Sequence, residues 1–153
     1  EEFLKLIRKE EIYMTASKYN SEGYYDPTTY EALSRIEREE RAARYRPLVY
    51  ICSTYSHGCI NVNIENARKY SRFAVDKHYL PITPHIYFTQ FMDDTISEER
   101  ETAVFMNFVL MSKCVELWVF GDTISAGMKA EIERAERKHM KIRYFTEELE
   151  EKK

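Results

Sequence analysis

The chain is short of the residues that punctuate or staple a fold. Its 153 residues include 4 glycines, 4 prolines, 3 cysteines and 1 tryptophan. Cys52, Cys59 and Cys114 are an odd number and form no C-x-x-C pair, so they give neither a disulfide framework nor a zinc spacing. Cys52 and Cys114 lie in or beside apolar runs, which predicts free buried thiols and a cytoplasmic, reducing compartment. No apolar run approaches the ~20 residues of a membrane helix. The charged start (Glu1, Glu2, Lys5, Arg8) has no signal-peptide stretch. A dominant charge is lacking too: 23 Lys+Arg against 26 Asp+Glu gives a net charge of −3. That speaks against a basic footprint for duplex nucleic acid. What the chain does have is 12 tyrosines, 8 phenylalanines and 44% hydrophobic residues. This suits one globular domain with its own core and not a disordered chain.

Three segments are expected: a helical extension over 1–45, an α/β domain over 46–146 and a charged tail over 147–153. Residues 1–19 carry Phe3, Leu4, Ile7, Ile12 and Met14 among charges, a surface-helix pattern. Gly23 and Pro27 break the chain, and Asp26-Pro27 predicts an N-cap followed by a helix over about 28–44. The charges around 35–41 read as a solvated face.

From residue 46 apolar runs and amphipathic segments alternate. Strands are expected at 48–53, 80–84, 115–121 and 140–145, and helices at 61–78, 98–113 and 125–139. Residues 85–97 are expected as an aromatic loop. β-α-β-α-β-α-β with short connections predicts a three-layer Rossmann- or flavodoxin-like parallel sheet of four to five strands. Such sheets bind ligands at their strand C-termini. The loops 53–61, 84–97 and 121–127 are therefore the candidate site. Between Ala103 and Met111 only Asn107 is polar. So apolar a helix predicts a second covered side. Either another subunit covers it, giving a homodimer or higher homo-oligomer through 98–113, or the extension over 1–45 does.

The third strand runs into Gly121-Asp122-Thr123-Ile124-Ser125-Ala126-Gly127-Met128, followed by Glu131. Ser125 suits a helix N-cap, and Gly127 suits a close backbone approach to a ligand. Glu131, six residues on, falls within about two helical turns of the cap. A carboxylate there is a candidate nucleophile for an anomeric carbon. The plain alternative is a cap serine and a surface glutamate. His85 and Asp93 are candidate acids for a leaving base, and His57 is a candidate phosphate or base contact.

The stretch from Arg46 to Phe145 resembles a bacterial and phage family of uncharacterised domains in the nucleoside 2-deoxyribosyltransferase-like superfamily. The resemblance rests on RPLVYICS-x-Y (46–55), PITPH (81–85), QFMDD (90–94), KCVELWVFG (113–121) and ISAGM-x-AEI (124–132). It implies a nucleophilic Glu131, a 5′-phosphate held by Ser125 with Gly127, and a sugar and base held near Ser53 and Tyr55. Tyr50 or Tyr55 would contact the base, and Asp122 and Met128 flank the phosphate turn. Asn107 stands where many relatives carry an aspartate that orients the glutamate or the sugar.

The expected function is therefore hydrolysis or transfer at the N-glycosidic bond of a nucleoside or its 5′-monophosphate, with no cofactor and no metal. Two other readings stand beside it. One is a non-catalytic sensor of a nucleotide or NAD-derived metabolite. The other is a structural interaction protein.

Overall fold

The computed structural model describes residues 17–152, so most of the helix expected over 1–19 lies outside the described residues. The chain divides into two units at Tyr45/Arg46. In the first, α1 spans Pro27–Arg44. Asp26 caps it, accepting from the Thr29 backbone N–H at 3.1 Å and the Thr29 hydroxyl at 2.7 Å. Pro27 needs no hydrogen bond in the first turn, and Arg41 and Arg44 face the negative helix end.

The second unit is a four-stranded, all-parallel sheet in the order β2-β1-β3-β4. β1 is Leu48–Cys52, β2 Leu80–Ile82, β3 Glu116–Phe120 and β4 Lys141–Phe145. Between them run α2 (Ile60–Asp76), α3 (Pro84–Tyr87), a 3₁₀ turn at Phe88–Gln90, α4 (Ser97–Met111) and α5 (Ala126–Arg137). This is a Rossmann/flavodoxin-like α/β fold. The stretch expected as a loop over 85–97 instead begins as α3 and the 3₁₀ turn. Pro84 in the first turn presets a helical φ there.

Strand alternation builds two cores. Tyr50, Cys52, Leu117 and Val119 pack with Met111, Met128 and Ala135. Val49, Ile51, Trp118, Phe120 and Phe145 pack with Tyr70 and Ala74 of α2. The two central strands are buried on both faces, hence their unbroken apolar runs. Cys52 and Cys114 are buried free thiols, and Cys59 is exposed. Glu116 is the exception in the core. Burial works against its charge, but Lys141 Nζ at 2.8 Å and Trp118 Nε1 at 2.7 Å donate to it and hold its carboxyl below the usual range.

Residues 147–152 do not hang free as a charged tail. Lys152 donates its backbone N–H to Tyr144 O, and Glu151 forms two 2.7 Å bonds with Arg143. Lys152 Nζ also meets Gly121 O at 2.9 Å and Asp122 Oδ1 at 2.7 Å. The segment shields the edge of β4 and clasps the turn after β3. Gly121 in that turn has φ +95°, which a side chain would strain. Among the described residues no helix is long and apolar enough to cross a membrane.

Candidate functional site

The order in which strands are added reverses between β1 and β3, since β2 lies on one side of them and β4 on the other. A crevice opens at the C-terminal ends of such a pair. A cavity of about 390 Å³ lies there, lined by the loop after β1, by α3 and the 3₁₀ turn, and by one side each of α4 and α5. The volume suits a drug-sized or nucleotide-sized molecule.

Glu131 lines the cavity from the second turn of α5. The Tyr50 hydroxyl on β1 donates to its Oε1 at 2.7 Å. Burial raises the Glu131 pKa, while hydrogen bonds from Tyr50 and Cys52 pull it back down. The carboxylate is thus held in a fixed orientation by a tyrosine that is itself buried in the core. Burial beside this acid also pushes the Tyr50 phenol well above its ordinary value, so it remains a donor. Tyr50 reaches the site through Glu131 and is absent from the cavity wall.

Ser125 caps α5, accepting from the Met128 backbone N–H at 3.3 Å. Ser125, Gly127 and Met128 all line the cavity. Gly127 has no positive φ, and a Cβ there would meet only Ser125 Oγ at 4.0 Å. The glycine keeps the helix mouth open without being demanded by the backbone. Asp122 lies outside the cavity wall and pairs with Lys152.

The β1 loop supplies Ser53, Tyr55 and His57 to the wall. Asn63 of α2 shapes it, donating from Nδ2 to Tyr55 O at 2.6 Å and His57 O at 2.8 Å. Across the cavity, His85 Nε2 lies 3.0 Å from Ser53 Oγ, and the Tyr55 ring meets the imidazole edge-on. Burial lowers the His85 pKa to about 4. The imidazole is therefore neutral at neutral pH and is no reservoir of acidic protons there.

Asp93 stays outside the cavity. Its Oδ1 accepts from the Thr95 N–H at 2.9 Å and the Thr95 hydroxyl at 2.6 Å, which also holds its pKa low. Its neighbour Asp94 lines the wall instead. Asp-x-Thr is a local turn signature, so the choice between the two aspartates was present in the sequence. Arg100, Phe88 and Phe108 also line the cavity and were not singled out there. Arg100 sits among Glu98, Glu99 and Glu101 in the first turns of α4, where a charged run reads as a solvated face and hides the one residue of the run that lines the cavity.

Asn107 lines the floor from α4. Its Oδ1 is buried and has no hydrogen-bond partner among the described residues. A buried unsatisfied acceptor costs about 1–3 kcal/mol. Among the described residues no group of three or more His, Cys, Asp or Glu side chains is placed to hold a metal.

A parallel sheet with helices on both faces and a crevice at its strand-order reversal defines an α/β domain of the Rossmann/flavodoxin-like class. Within that class the chain belongs to the domain-of-unknown-function family DUF7768, whose profile matches residues 47–145. No curated protein matches the chain.

Proposed function

We propose that this cavity binds a nucleoside or nucleoside 5′-monophosphate and that Glu131 cleaves its N-glycosidic bond. The observation that carries the reading is the buried carboxylate on the cavity wall, oriented by the Tyr50 hydroxyl. A Glu131 oxygen forms a bond to C1′ while the C1′–N bond breaks and its electron pair leaves with the base. The neutral His85 is a poor proton donor, so the base takes its proton from water at the rim. Water, or a second base, then attacks C1′. The C1′–Glu131 bond breaks, the carboxylate is restored, and the attacking group loses its proton to solvent. Ser125 and the free N–H groups at the start of α5 face the 5′ end of the ligand.

The test is release of free base from nucleoside 5′-monophosphates, read by chromatography. Wild type releases base, and Glu131→Ala loses about 10³-fold or more of the rate. No release by wild type, or equal release by the variant, refutes catalysis. One observation favours a sensor that binds the same ligand without cleaving it. Burial holds His85 neutral and favours the protonated, non-nucleophilic form of Glu131, which weakens both the acid and the nucleophile that cleavage needs at neutral pH. A thermal shift with nucleotide but no base release would select that reading.

The exposed side of α4 carries Phe105 (68% exposed), Val109 and Val104. Val104 also lines the cavity. We assign this face to a second copy of the chain, which would cover the apolar surface and border the cavity mouth.

A further inference from the structure

A second crevice, of about 160 Å³, lies on the α2 side of the sheet. Its wall shares only Ser53 and His57 of the β1 loop with the cavity described above. Asn63, Asn66 and Tyr70 line it from one face of α2, at the helical spacing. The Tyr70 side chain is 2% exposed, and its ring stacks on Phe120 with centres 4.2 Å apart. The hydroxyl of Tyr70 makes no hydrogen bond among the described residues. It is not sealed off either, because Asn107 Oδ1 is the one unpaired side-chain atom among them that is fully closed in. A tyrosine with a buried ring ordinarily finds a partner for its hydroxyl. This one opens onto the crevice and meets none.

We propose that this crevice binds the primary ammonium group of a small amine, with the Tyr70 hydroxyl oxygen, the Asn66 amide oxygen and the Glu147 carboxylate as its acceptors. The site stands apart from the nucleoside reading and does not depend on it. An ammonium brings three N–H donors and no acceptor, so three acceptors complete it. Glu147 Oε1 lies 3.9 Å from where a Cβ on Gly121 would stand, which puts the carboxylate at the crevice rim. Neither Glu147 nor the Asn66 side chain has a hydrogen bond or ion pair among the described residues. The donors on the wall are already spent. Asn63 gives its Nδ2 hydrogens to Tyr55 O and His57 O, Thr54 donates to the Met128 sulfur, and Ser53 faces His85. The Thr123 hydroxyl serves in either sense. No lysine or arginine stands on the wall, and the remaining titratable group there, His57, is exposed on the loop. Lys152 is taken up by Gly121 O and Asp122, and Lys69 Nζ stands 5.6 Å from the Tyr70 ring centre. The field at the hydroxyl is negative all the same. Burial first, then Glu147 and Glu148, push the Tyr70 pKa up to about 12. A cation with several donors complements such a wall, and an anion does not.

The experiment titrates the ¹⁵N-labelled protein with putrescine and with ethanolamine, and with sodium acetate at matched ionic strength, and follows the amide signals by NMR. At least one amine is expected to give saturable shifts at Asn66, Gly121 and Glu147, and acetate none. Tyr70→Phe keeps the stacked ring and removes only the acceptor, and it weakens the Kd about tenfold or more. Glu147→Gln, at an exposed position, weakens it in the same direction and serves if the phenylalanine protein does not fold. Glu131→Gln, in the other cavity, binds the amine as wild type does. Shifts that grow without saturating for both amines, or saturable binding of acetate, overturn the proposal. So does an affinity that survives Tyr70→Phe and Glu147→Gln, or one that is lost in Glu131→Gln, which would place the amine in the other cavity.

Discussion

At the residue scale, the account turns on how buried groups hold their protons. Tyr50 reaches Glu131 from the middle of a strand, so one tyrosine of the core is also part of the site. Its hydrogen bond favours the ionised carboxylate. Tyr50→Phe therefore raises the Glu131 pKa further, and a ¹³C carboxyl NMR titration shows the midpoint moving to higher pH. An unmoved midpoint would mean that Tyr50 does not tune the acid. His85 runs the other way. Its pKa falls from 6.5 to about 4 on folding, so the unfolded chain binds the extra proton. The stability held by neutral His85 is complete above about 6.5 and is lost as pH falls towards about 4, by at most about 1.4 kcal/mol per pH unit. His85→Gln flattens that part of the stability curve in denaturant melts. If wild type and variant lose stability in parallel, His85 is not held neutral by burial.

At the element scale, legibility followed the strength of the local pattern. β1 and β3 were plain because strands buried on both faces read as unbroken apolar runs. The cap at Ser125 and the proline start of α1 were plain because each satisfies a named backbone group. The aromatic stretch after β2 was not. Its helical turns rest on Pro84 and on contacts among Tyr87, Phe88 and Phe91, with no amphipathic period to announce them. Glu131 and Ser125 were legible as a spacing on one helix. The Tyr50–Glu131 and Ser53–His85 pairs were not, because each joins residues from separate elements that only the fold brings together. The same limit hid Arg100 and Asp94. α4 carries its own prediction. Phe105→Glu on the exposed face converts the self-associated protein to monomer in sedimentation, with the melting temperature of the isolated domain little changed. A wild-type monomer would refute the second copy.

At the scale of the whole molecule, the glycine shortage sharpens the picture. The sheet is held by two apolar cores and needs few special backbone positions. Gly58 in the β1 loop and Gly121 after β3 are the two in the site region whose positive φ favours glycine, and Gly121 opens the turn that the C-terminal clasp secures. The fold then brings three helices and the β1 loop to one crevice, with the carboxylate that Tyr50 tethers on its wall. The central claim is that this carboxylate attacks a sugar carbon, and the direct measurement is intact-protein mass spectrometry after rapid acid quench with a nucleoside 5′-monophosphate. A pentosyl-phosphate adduct on the peptide containing Glu131, absent from Glu131→Gln, is the predicted result. Base release with no adduct at any quench time, or an adduct that persists in Glu131→Gln, would contradict it.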